Sequence, residues 1–145
     1  MKQRHVFSML TIGLVLCCLG ACSRKAEMCA RCHMALKSGS IHETEITYAD
    51  GTIAKFDSAV CAITVWQHPP PGAVPKSMTL HEYYSGKPRD ASEVMFVHDS
   101  DVTGPMGNDF IAVDESNVKK FEADHGGKEF RLRDIKLDGS QEQSL

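Results

Sequence analysis

What the chain lacks narrows its chemistry. No nucleophile stands beside a paired base, no two carboxylates form a dyad, and no glycine-rich phosphate loop is present, so catalysis is not expected. No basic patch interleaved with aromatics occurs in a chain whose formal net charge is −3, which argues against nucleic-acid binding. His42, His68, His81, His98 and His125 are scattered, with no ligand-spaced pair among them, and are expected at the surface. No apolar run reaches the length of a membrane-spanning helix, the longest being Val6 to Leu19.

That short apolar run follows Lys2 and Arg4 and precedes small residues, the layout of a secretory signal over residues 1–21. Leu19-Gly20-Ala21-Cys22 resembles a bacterial lipobox, so Cys22 is expected to carry lipid and to anchor the mature chain on the periplasmic side of a membrane. Ser23, rather than an aspartate, follows the anchor, which resembles lipoproteins sent on to an outer membrane. Loss of residues 1–21 removes two positive charges and no acidic one, moving the formal charge from −3 to −5. Residues 22–28 read as a tether, and residues 138–145 as a polar, disordered tail.

Between them the pattern is that of an α+β domain over residues 29–137. Ile41 to Tyr48 and Thr52 to Phe56 read as a hairpin turning at Asp50-Gly51. Asp57 and Ser58 are N-cap candidates for a buried helix running to His68, which Pro69-Pro70-Pro71 ends, and Met78 to Tyr84 reads as a strand. Glu93 to His98 and Asp109 to Val113 repeat the strand pair, with a glycine-rich loop at Gly104 to Asn108. Ser116 is expected to cap a helix ended by Gly126-Gly127, and Glu129 to Ile135 to close the domain as a strand. The expectation is two ββαβ units, about 29–84 and 93–135, as antiparallel sheet with helices packed on it.

With the signal and anchor set aside, only Cys29, Cys32 and Cys61 remain as thiols, an odd number for an oxidising compartment. The stretch CARCHM, Cys29 to Met34, has two readings. Cys29-x-x-Cys32-His33 is the attachment pattern of a c-type haem, with Met78 or Met106 as a distal ligand, although the strand-rich surroundings differ from a small helical cytochrome. Alternatively Cys32 and Met34, at i and i+2 in extended backbone, face one side and suit soft Cu(I). Met106, in an exposed glycine-rich loop, is a further thioether candidate; Cys61 is either a ligand, a partner of Cys29 or a small core hydrophobe.

CARCHM, KFDSAVCAITVW and MTLHEYYSGKPRDASEVMFVHDSDVTGPMGNDFIAV resemble, in order, the NosL family of nitrous-oxide reductase accessory lipoproteins. The resemblance covers Cys29 to Ile135, and SDVTGPMG at Ser100 to Gly107 is its most specific part. It implies a membrane-anchored chaperone that binds Cu(I) and hands it to nitrous-oxide reductase during assembly of a copper-sulfide centre, with a duplicated ββαβ fold and Cys32 and Met34 as a metal-binding pair. His33 stands where the family usually has glycine, and that difference creates the apparent haem signature. The resemblance therefore turns the reading of CARCHM toward copper, with Cys29, Cys32, Met34, Cys61 and Met106 as candidate ligands and His33 as a candidate imidazole.

Overall fold

The computed structural model describes residues 26–137. The signal, lipid-bearing Cys22 and polar tail expected from the sequence lie outside these residues. Residues Thr44–Tyr48 (β1) and Ile53–Phe56 (β2) form the hairpin, and Ala59–Gln67 (α1) follows. Ser58, in extended backbone, caps the helix by accepting from the Cys61 N–H at 3.2 Å, and His68 closes it just before the three prolines. Pro75–His81 (β3) then pairs with the far edge of β1, and Pro88–Asp90 (β4) pairs with β3, giving the order β2-β1-β3-β4.

Met95–Ser100 (β5) opens the second half, followed by a small hairpin of Thr103–Gly104 (β6) and Gly107–Asn108 (β7), then Ile111–Val113 (β8). The helix Val118–His125 (α2) leads into Gly126–Phe130 (β9), and the second sheet has the order β8-β5-β9. Both halves follow one path. The first strand lies centrally, its hairpin partner on one side and the strand after the helix on the other, with all pairings antiparallel. This is the duplicated ββαβ arrangement in an α+β domain.

Strand periodicity makes one core out of two sheets. In β5, Phe96 turns to a cluster containing Ile46, Phe56, Ile63 and Met78 from the first half, while Met95 and Val97 face Val118 and Phe121 of α2. Met78 is thus a core side chain, not a distal haem ligand.

Several element boundaries differ from the sequence expectation. The strand expected at Met78 to Tyr84 ends at His81, because the Glu82 backbone closes a turn with Lys87 and Gly86. Ser116 lies inside a 3-10 turn, Glu115–Asn117, and no side chain caps α2. The last strand starts at Gly126 rather than Glu129, since Gly127 (φ 101°) lies so close to β5 that a Cβ would meet Val97 Cγ1 at 2.6 Å; Leu132–Asp134 then forms another 3-10 turn where strand was expected.

Glu82, 1 % exposed, ties the halves together. Its carboxylate accepts from the Ser85 N–H at 2.7 Å and from the Asp114 N–H at 3.4 Å. Burial alone would raise its pKa, yet these N–H donors hold it below the usual carboxylate value. Its stabilising effect is therefore present above the unfolded pKa and lost as pH falls through the lower folded value. Glu82→Gln is expected to cost about 1–3 kcal/mol in urea unfolding at neutral pH, with the gap from wild type narrowing as acid protonates the native carboxylate.

Candidate metal site

The CARCHM segment is a closed turn. Met28 and Ala35 form an antiparallel bridge, Cys29 N–H donates to Met34 O at 2.8 Å, His33 N–H donates to Cys29 O at 3.1 Å, and Ala30 N–H donates to Lys55 O of β2 at 2.9 Å. His33 has φ 61°, in the left-handed region that favours glycine. The extended backbone expected to turn Cys32 and Met34 to one side is therefore absent, and the turn sets their directions instead. His33 is exposed and Met34 is 41 % exposed, while Cys32 is half-buried and Cys29 fully buried.

This turn meets the start of α1. The sulfurs of Cys29, Cys32 and Cys61 and a carboxylate oxygen of Asp57 all lie within 4.8 Å of one another. Two thiolates bound to one ion at about 2.3 Å each stand no more than about 4.6 Å apart, so small shifts suffice for a common ion. All three cysteines are free thiols, so the pairing of Cys29 with Cys61 is a contact and not a bond. A haem vinyl group would have to reach the fully buried Cys29 sulfur, which is turned into this cluster.

Local sequence explains the convergence. Ser58 caps the Cys61 N–H and thereby fixes Cys61 in the first helical turn, and Asp57, 5 % exposed, immediately precedes the cap. Both Asp57 oxygens lie 3.4 Å from Cys32 Sγ and accept from its thiol. Arg31 places Nη1 3.9 Å from Cys61 Sγ, bringing a permanent cation beside the sulfurs. Asp57 and Arg31 were not sequence candidates for the site; the Phe-Asp-Ser junction and the x-x of the cysteine pair carry no distance information.

The thiols do not ionise alike. Hydrogen bonding from the Cys61 thiol lowers Cys29 to about 6 against the opposing effect of burial, and the Cys61 proton is correspondingly held more tightly. Burial raises Cys32 to about 11. The metal-free cluster at neutral pH thus holds one thiolate, on Cys29, stabilised by a neighbouring thiol.

Met106, at the tip between β6 and β7, is half-buried and packs on the apolar cluster that contains Cys29 and Cys61. It shares a cleft of about 650 Å³ with Arg31, Val60 and His98. Pro105, its neighbour, shares a second cleft of about 190 Å³ with Asp57 and His42. The tip therefore neighbours the cluster from two sides. Four of the five histidines are less exposed than expected, His68 alone being exposed: the His42 side chain is only 14 % exposed and contacts Asp109 at 3.4 Å, and the His98 side chain is 26 % exposed beside Asp99.

Comparison with known proteins agrees with this picture. The model of the NosL family matches residues 22–139. The crystal structure of the copper chaperone NosL from Shewanella denitrificans superposes with a TM-score of 0.63 at 19 % sequence identity, covering 77 % of this chain and 90 % of that one, a likeness in fold. A search of curated proteins by sequence finds no match.

Two outcomes are expected. His33→Gly relieves the left-handed backbone and stabilises the metal-free protein by about 1 kcal/mol in urea unfolding. Thiolate absorbance of the metal-free protein titrates in one step near pH 6 and in another near pH 11, and Cys61→Ser alters the first step while Cys32→Ser removes the second.

Proposed function

This chain belongs to the NosL family, and we propose that it is a lipid-anchored, periplasm-facing chaperone that carries Cu(I) to a copper enzyme, with nitrous-oxide reductase and its copper-sulfide centre as the client. The observation that carries this reading is the meeting of three thiols from two distant segments, with Asp57, within 4.8 Å. Cu(I) is soft, accepts two to four ligands and prefers thiolate and thioether. Cys29, Cys32 and Cys61 supply the thiolates, and Met34 and Met106 are the thioether candidates for the one place that remains. His33, exposed on the same turn, is the remaining imidazole candidate.

Burial is graded across these groups in the order a carrier requires. Cys29 and Cys61 are fully buried, Cys32 half-buried and Met34 exposed. An acceptor's ligand reaches the ion from the Met34 side and displaces the outer donors before the inner ones release. Asp57 aims Cys32 in the metal-free state, and the thiol protons leave as metal binds. Lipid on Cys22, seven residues before Cys29, holds the carrier at the membrane and raises its local concentration near membrane-bound partners. The solved relative described above, a copper chaperone, supports the same reading.

The full-length protein, purified in detergent from a bacterial host that matures c-type cytochromes, is expected to bind one Cu(I) per chain and to show no Soret band. Cys32→Ser is expected to weaken Cu(I) at least about 100-fold in competition with a chromophoric chelator, Met34→Leu less so, with circular dichroism unchanged in both. A Soret band, or retention of Zn²⁺ in preference to Cu(I), would overturn the assignment.

A further inference from the structure

We propose that Asp109, braced by His42, is the positioning residue that holds the Met106 hairpin against the cysteine-bearing end of α1; this rests on the copper reading above. Asp109 belongs to the second half of the chain and is fully buried. Its Oδ1 accepts from the N–H of Val60 at 2.9 Å, in the first turn of the first-half helix, and from its neighbour Phe110 at 2.8 Å. Ser58 caps the adjacent Cys61 N–H. Two of the four N–H groups that a helix leaves unpaired at its start are thus held by one residue from each half of the molecule.

The other oxygen, Oδ2, has no hydrogen-bond partner, a costly condition for a buried carboxylate. It lies 3.4 Å from Nδ1 of His42 and directly against Gly104, where a Cβ would fall 2.6 Å away. Gly104 begins the turn that carries Met106, and it pairs with Gly107 on the other side of that turn. One carboxylate therefore grips the helix start with one oxygen and seats the hairpin with the other. His42, at the wall of the cleft shared by Asp57, Gly104 and Pro105, supplies the only imidazole in contact with Oδ2 among the described residues. A glycine at 104 is required for that seat because any side chain would occupy the position of Oδ2.

The consequence is that the Met106 thioether and the Cys61 thiolate are registered to each other through Asp109. Asp109→Asn keeps the size and an oxygen for Val60 but loses the charge facing His42. Gly104→Ala leaves the Ser58 cap untouched and crowds the hairpin against Asp109, forcing the two apart.

The test is a double-mutant cycle on Cu(I) affinity with the full-length protein in detergent, near-ultraviolet circular dichroism confirming the fold. Asp109→Asn and Met106→Leu are each expected to weaken Cu(I) about tenfold, and the double variant no more than either alone, because both remove the same thioether. His42→Gln is expected to follow Asp109→Asn in the same direction. If Asp109→Asn does not fold, Gly104→Ala replaces it in the cycle, with the same expected result. Additive losses, wild-type affinity in Asp109→Asn or Gly104→Ala, or an effect of Asp109→Asn with none from Met106→Leu would each overturn the inference while leaving the copper reading in place. Failure of the wild-type protein itself to bind Cu(I) would instead remove that reading.

Discussion

Gathering three sulfurs, two of them fully buried, and a buried carboxylate at the beginning of one short helix is the constraint on which the rest of the structure depends. Low-dielectric surroundings oppose multiple negative charges, so without a cation only one thiolate is accommodated. It resides on Cys29 because the Cys61 thiol donates to it, while Cys32 keeps its proton and gives it to Asp57 as a hydrogen bond. A cation entering such a cluster turns mutual repulsion into shared bonding. Arg31, beside Cys61, moderates the charge that remains.

Keeping those groups in place requires both halves of the molecule. The turn of Cys29 to Met34 is stitched to β2 through Ala30 and Lys55, and α1 packs on the sheet formed by β1, β2 and β3. The second half contributes Phe96, Phe110 and Ala112 to the same core and lays the β6–β7 hairpin beside the cluster. Glu82 and the backbone bond from Tyr83 N–H to Ala112 O at 2.9 Å close the seam from the first half, and Asp109 closes it from the second. Duplication of a simple unit thus places a loop from one copy over a helix start in the other.

Much of the fold was legible because it follows from neighbours along the chain. Ser58 before an apolar run, three prolines after it, and Asp50-Gly51 between alternating segments are local signals with local causes. The second helix, stopped by glycine, was legible for the same reason. β4 escaped notice because Pro-Arg-Asp is a polar edge strand that pairs only where β3 offers a partner. The start of β9 at Gly126 contradicted the rule that glycine ends an element, since Gly126 stops α2 while Gly127 lets the backbone approach β5. An extended strand would turn Cys32 and Met34 to one side, but the closed turn, with His33 at φ 61°, sets their directions instead.

By itself the sequence determined the two helices, the main strands of the repeated ββαβ plan and a short list of sulfur residues, all of which depend on spacing and composition within a few residues. Only the tertiary structure decided that Cys61, twenty-nine residues beyond Cys32, joins Cys29 and Cys32, that Asp57 receives a thiol, and that Arg31 stands beside the sulfurs. The reason is physical: a donor cluster is defined by distances of a few ångströms between side chains, and those distances are set by how sheets and helices bury their apolar faces against one another, not by position along the chain.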